Sequence, residues 1–178
     1  MKHVLLFLTL SLVCPATGLW AQDSTYSLRY EIPRGRELVA VYVSDSDCAW
    51  CRSPEFRAAL ERMKVLLEEQ ARKAGMTFSV TGVAIDWEVD EGYNFLREAG
   101  EFDEVVIGRN WFNIAAIEYL WGDDGTRPAI PQVIVFEREV RIEPMNASFG
   151  PRHVLGRYVS DALLEWIKRG APVDSETK

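Results

Sequence analysis

The stretch Ser44-Asp45-Ser46-Asp47-Cys48-Ala49-Trp50-Cys51-Arg52 sets two cysteines two residues apart, directly behind the run Glu37-Leu38-Val39-Ala40-Val41-Tyr42-Val43. That run is almost continuously apolar and rich in β-branched residues, the pattern of a central strand buried on both faces. A cysteine pair at the end of such a strand can hold a metal, staple a loop or carry electrons. The rest of the sequence separates these uses.

The chain has 178 residues, with three cysteines and two histidines. Cys14 and His3 fall in an N-terminal stretch that reads as a signal peptide, which leaves Cys48, Cys51 and His153. Structural zinc takes four ligands, most of them Cys or His, so the supply is short and no metal site is expected. A structural disulfide contributes most when it closes a long loop, and this pair encloses only Ala49 and Trp50. A redox dithiol is the favoured reading, and an exported chain permits it.

Export is expected from the N-terminus. Lys2 and His3 precede the apolar run Val4 to Val13, and small residues follow from Pro15 to Ala21. This is the layout of a secretory signal over residues 1–21, too short and wrongly flanked for a membrane span. Cleavage is expected after Ala21, with Gly18 as the alternative. Acylation of Cys14 is disfavoured because Val13, not a small residue, stands before it. No later run approaches spanning length.

Loss of Lys2 leaves 19 basic against 27 acidic residues, a net charge of −8. No basic stripe offsets this, so no nucleic-acid partner is expected. With 48% apolar residues the chain supports one domain, read as residues 22–170, ahead of a polar tail over 171–178 expected to be disordered.

Ser27 to Ile32 is a short strand candidate. After the cysteines, a helix is expected over roughly Ser53 to Ala74, with Phe56, Leu60, Met63, Leu67 and Ala71 on one face, Pro54 in its first turn and Gly75 at its end. Met76 to Ile85 reads as the next strand, parallel to the first across a right-handed crossover. Asp90 to Ala99 reads as a helix, Phe102 to Ile107 as a short strand, Asn110 to Trp121 as a second helix, and Gly122 to Gly125 as a loop. Ala129 to Phe136 begins a strand with Pro131 at its mouth, where proline is tolerated. Val140 to Ile142 is expected to return as a tight antiparallel hairpin. A helix from Ser160 to Arg169 closes the domain, with Ser160 as its N-cap.

In this order the elements resemble the thioredoxin superfamily. The matching pieces are Leu38 to Val43, Cys48-Ala49-Trp50-Cys51, the long helix, Val83-Ala84-Ile85-Asp86, and Ala129-Ile130-Pro131-Gln132 leading into Val133 to Phe136, then the hairpin, Gly156 and the last helix. They cover most of the chain apart from about 87–128, expected to be a helical insertion before the proline strand. Disulfide oxidases of the superfamily carry a larger one at a similar point.

The resemblance implies an α/β thioredoxin fold, a central mixed sheet flanked by helices, with Ile130-Pro131 in cis beside the cysteines. It implies that Cys48 attacks, that Cys51 resolves the mixed disulfide, and that Ile130, Pro131 and Trp50 contact substrate. The chain departs from thioredoxin itself in having Asp47 before the pair and Ala49-Trp50 within it. Tyr42 stands where thioredoxin has a buried carboxylate, and Pro54 comes three residues after Cys51, not five.

The physical logic of the pair agrees. Unpaired N–H groups at a helix start stabilise a thiolate. Arg52 helps, whereas Asp45 and Asp47 oppose it. Trp50 is expected exposed beside Cys48, with packing on the insertion as the alternative. Trp111, Phe112, Tyr119 and Trp121 form either a recognition surface or, more in keeping with helical spacing, the core of the insertion. Asn146-Ala147-Ser148 fits a glycosylation acceptor, and His153 is read as a loop residue.

The expected activity is exported thiol:disulfide exchange with protein thiols or disulfides and a separate redox partner, with no bound cofactor because the dithiol is the redox centre. The competing expectation is a thioredoxin-fold binding or chaperone module with an inert disulfide.

Overall fold

The computed structural model describes residues 34–121, 128–143 and 146–173. The signal-peptide reading, the strand candidate Ser27 to Ile32, the loop Gly122 to Gly125 and the tail from 174 onward lie outside these residues.

Strand β1 (Gly35–Ser44) is the middle of the sheet. Leu38 to Val43 are closed to solvent because alternate residues feed two separate cores. Leu38, Ala40 and Tyr42 face one side, and Val39, Val41 and Val43 face the other. Each fully buried side chain of this size contributes about 1.5–3 kcal/mol.

Helix α1 (Pro54–Lys73) covers the first side with the expected stripe Phe56, Leu60, Met63, Leu67 and Ala71. The Ser53 side chain caps it by accepting the Phe56 N–H. Its far end is closed by Gly75 at φ 67°, where Met76 N–H reaches Ala71 C=O and Gly75 N–H reaches Arg72 C=O. That left-handed residue has to be one without a Cβ penalty.

Strand β2 (Thr77–Ala84) pairs parallel to β1, as the sequence predicts. Helix α2 (Val89–Ala99) then leads to β3 (Glu104–Ile107), which pairs parallel to β2 at the sheet edge. The insertion thus carries the short strand expected over Phe102 to Ile107, begun two residues later, and adds it to the sheet. Gly92 allows α2 to lie close on the sheet, since a Cβ there would stand 2.6 Å from Ile107 Cγ2.

The single helix expected over Asn110 to Trp121 is broken. A 3-10 turn (Asn110–Phe112), one α turn, α3 (Ile114–Ala116), and a π turn (Ile117–Trp121) replace it. The break is at Asn113, whose backbone is extended and whose side chain accepts the N–H groups of Ala115 and Ala116. Asn competes with helix backbone in this way. Ala115, Ala116 and Leu120 cover the second side of the sheet. Trp111 and Tyr119 pack there too, while Phe112 and Trp121 are exposed.

Strand β4 (Gln132–Glu143) runs antiparallel to β1. It does not turn back at Val140 to form the expected hairpin. Its length is held by β1 on one edge and, on the other, by β6 (His153–Val159) and β5 (Asn146–Phe149) in succession. His153 thus starts a strand instead of lying in a loop, and Asn146 to Ser148 are exposed on β5.

Helix α4 (Ser160–Lys168) packs Leu163, Trp166 and Ile167 on the first side. Ser160 is not its cap; Val159 holds that place without a side-chain bond, and Ser160 N–H donates to Pro131 C=O. Residues 171–173 of the supposed tail are tied down. Ala171 is buried, Trp166 Nε1 donates to Pro172 C=O, and Val173 N–H donates to Gln70 Oε1.

The result is a mixed sheet in the order β3-β2-β1-β4, with β5 and β6 beyond β4. Helices α1, α2 and α4 contribute to the core on one side and the broken segment to the core on the other. The C-terminal ends of β1, β2 and β3 all open at the edge where the cysteines sit.

Candidate functional site

β1 ends at Ser44, whose carbonyl accepts the Ile85 N–H at 2.9 Å. The chain then makes two turns, closed by Cys48 N–H to Asp45 C=O and by Ser53 N–H to Trp50 C=O. Both cysteines lie in this double turn, ahead of α1. Cys48 and Cys51 form a disulfide with a Cα–Cα distance of 5.3 Å, within the ordinary range for that bond.

The two sulfurs sit in different surroundings. Cys51 is 0% exposed, whereas Cys48 is half-buried at the rim. Cys51 N–H donates to Cys48 Sγ at 3.2 Å, a local donor available to a thiolate there. On the buried side, Ser44 Oγ–H donates to Cys51 Sγ at 3.1 Å. The α1 cap is Ser53, where the sequence places the helix start, so both cysteines lie just ahead of its first turn, where the helix field is strongest.

Trp50 does not stand clear in solvent. Its ring lies 4.8 Å from that of Phe56 of α1, half-buried against the first core. Arg52 is exposed.

The Ile130–Pro131 peptide is cis. Gln132 pairs with Val43, so Pro131 and Ser44 are each one residue beyond that pair, at the same end of the sheet. The five site residues expected from sequence, Cys48, Trp50, Cys51, Ile130 and Pro131, are thereby gathered at one edge. Pro131 is buried, and Ile130 packs partly against the second core.

Two residues were not among those expected. Ser44 is one. Asp86 is the other: 6% exposed at the end of β2, it accepts both the N–H and the Oγ–H of Ser46 and so ties the cysteine loop to the neighbouring strand. The sequence signal for Asp86 is an acid immediately after Val83-Ala84-Ile85, at a strand end that must open onto the same edge as the cysteines. Tyr42, beneath them, has its phenol held well above the usual range, chiefly by burial.

Asp45 has its carboxyl raised, first by burial and then by the neighbouring Asp86 charge. A raised carboxyl binds more protons folded than unfolded, so stability falls as pH rises through the window above the ordinary Asp value of about 3.9. Asp45→Asn is therefore expected to be more stable than the parent at pH 7, by under about 1 kcal/mol for a half-buried group. The gain disappears below about pH 4, where both are neutral. Urea midpoints at the two pH values check this. An equal gain at both would contradict it.

No protein-family profile and no curated protein matches the chain. Among solved structures it is similar to the thioredoxin domain of a thiol-disulfide oxidoreductase from Bacteroides vulgatus, with a TM-score of 0.38 and 15% identity over 75% of this chain and 78% of that one. It is also similar to BsSco, a member of the Sco family of cytochrome c oxidase assembly proteins, with a TM-score of 0.36 and 12% identity over 76% and 80%. At that level of likeness the fold assignment rests on the chain's own topology. By its strand order, its parallel β1-α1-β2 unit, its antiparallel β4 and the cis proline opening that strand, the protein has a thioredoxin-like fold with a Cys48–Cys51 disulfide at the sheet edge.

Proposed function

We propose that the protein is an exported thiol:disulfide oxidoreductase acting on protein thiols or disulfides through Cys48 and Cys51. The observation that carries this reading is the unequal exposure of the two bonded sulfurs, one at the rim and one closed to solvent. In the reducing direction, the Cys48 thiolate attacks a substrate disulfide, and one substrate sulfur leaves and takes a proton. Cys51 then gives up its proton and attacks Cys48 Sγ, which forms the internal disulfide and releases the second substrate thiol. Two electrons pass from protein to substrate, with one proton from Cys51 and one from solvent, where Cys48 released it on forming its thiolate. The reverse sequence oxidises a substrate dithiol.

Trp50, Ile130 and Pro131 flank the path of the substrate chain in this reading. No bound cofactor enters, because the sulfurs carry the electrons. Export is supported by the charged start and apolar run of residues 1–21. Among the described residues no helix is long and apolar enough to cross a membrane. Asp45 and Asp47 beside Cys48 favour the second reading, a binding or chaperone module, since negative charge there disfavours a thiolate.

Dithiothreitol-driven reduction of insulin, followed by precipitation of its B chain, tests the proposal. The protein is expected to accelerate precipitation and Cys48→Ser to leave it at the uncatalysed rate. Equal rates for the two would sink the enzyme reading.

A further inference from the structure

The proposed chemistry requires a thiolate on Cys51 in either direction, and Cys51 is closed to solvent within an apolar cluster that includes Tyr42, Phe56 and Leu60. Burial there disfavours the anion. Among the described residues, the Ser44 hydroxyl donates to its sulfur at 3.1 Å.

We propose that Ser44 is a positioning residue for Cys51, holding its sulfur and stabilising the thiolate through which it must pass. This inference rests on the redox reading of the same site. A hydrogen bond donated to a neutral disulfide sulfur is weak, whereas the same bond to an anion is roughly twice as strong. The hydroxyl therefore favours the state formed during exchange over the resting disulfide. When a substrate thiolate attacks Cys48 Sγ, the internal S–S bond breaks and Cys51 leaves as a thiolate that Ser44 Oγ–H meets. When Cys51 closes the disulfide, its S–H proton goes to solvent or to the departing substrate sulfur, and Ser44 stabilises the attacking anion. Ser44 donates a hydrogen bond in both directions and neither gains nor loses a proton.

Its geometry suits this task. Ser44 is fully buried, and its backbone is fixed by the β1–β2 pairing and by the Ile85 N–H on its carbonyl. Its hydroxyl neighbours both the Cys51 sulfur and the Tyr42 phenol. The titratable groups around it are Tyr42 on β1, Asp45 in the loop, Asp86 at the end of β2 and Arg57 on α1. All are retained in the comparison below.

The test uses the full chain carrying Cys14→Ser and Cys48→Ser, which leaves Cys51 as the sole cysteine of the original three. Thiolate absorbance at 240 nm is followed against pH with Ser, Ala or Thr at position 44. Ser44→Ala is expected to move the midpoint up by about one pH unit, a tenfold loss of thiolate at a given pH below it. Ser44→Thr, which keeps the hydroxyl, is expected to restore the midpoint. A midpoint unmoved by Ser44→Ala, with circular dichroism showing the variant folded, overturns the proposal. So does an equal rise in Ser44→Thr. The titration needs no turnover, so it stands or falls separately from the insulin assay that tests the redox reading.

Discussion

Cys51→Ser is expected to form mixed disulfides that it cannot release, and Cys48→Ser to lose exchange altogether. The asymmetry follows from burial. Cys48 is half-buried with a backbone N–H on its sulfur, so a substrate can reach it and its thiolate has a donor. Cys51 is closed to solvent and faces the Ser44 hydroxyl, so the sulfur within its reach is Cys48 Sγ. Removing the attacking group should cost roughly three orders of magnitude in turnover or more. Removing the resolving group should instead shift the protein into a covalent adduct, seen as a mass increase with a dithiol-sensitive substrate. Exchange surviving in Cys48→Ser, or adducts forming equally on either cysteine, would contradict the assignment.

The second large effect is on stability. Phe56→Ala is expected to cost about 3–5 kcal/mol, as truncation of a fully buried aromatic generally does. Phe56 is 2% exposed, and its ring lies between Tyr42, at 6.1 Å, and Trp50, at 4.8 Å. The loss is a large part of the roughly 5–15 kcal/mol that holds a domain folded. It should also free Trp50, because the ring against which that indole packs is gone. Urea unfolding measures the first effect and Trp50 fluorescence quenching, referenced to a Trp50→Phe control, the second. A loss below about 1 kcal/mol would mean that Phe56 is not the link between the core and the cysteine loop.

The parts of the fold that were legible in sequence are those where one physical demand dominates. β1 reads correctly because a strand buried on both faces must be continuously apolar. α1 reads correctly because its stripe, its Ser53 cap and its Gly75 stop all agree. The broken segment 110–121 was misread because aromatics at helical spacing carried the pattern, while the local capping by Asn113 decided the backbone. Ile114, in the middle of that segment, is 73% exposed.

The extension of β4 through Glu143 was hidden because Glu137, Arg138 and Glu139 look like a turn. Arg138 instead donates to the buried carboxylate of Glu37 on β1, so a charged residue belongs in the strand. In the site, the cysteines and Pro131 announce themselves by spacing. Ser44 and Asp86 do not, because a serine or an acid at a strand end is commonplace until the register brings it beneath a sulfur or against Ser46.

The central claim is that the Cys48–Cys51 disulfide is a working redox couple. Equilibrating the protein with graded mixtures of reduced and oxidised glutathione measures its reduction potential. The expected result is reversible reduction at a potential between about −270 and −120 mV, the span of thioredoxin-fold exchange proteins. A disulfide that stays closed to below about −300 mV and exchanges slowly would contradict the claim and make the bond a structural one.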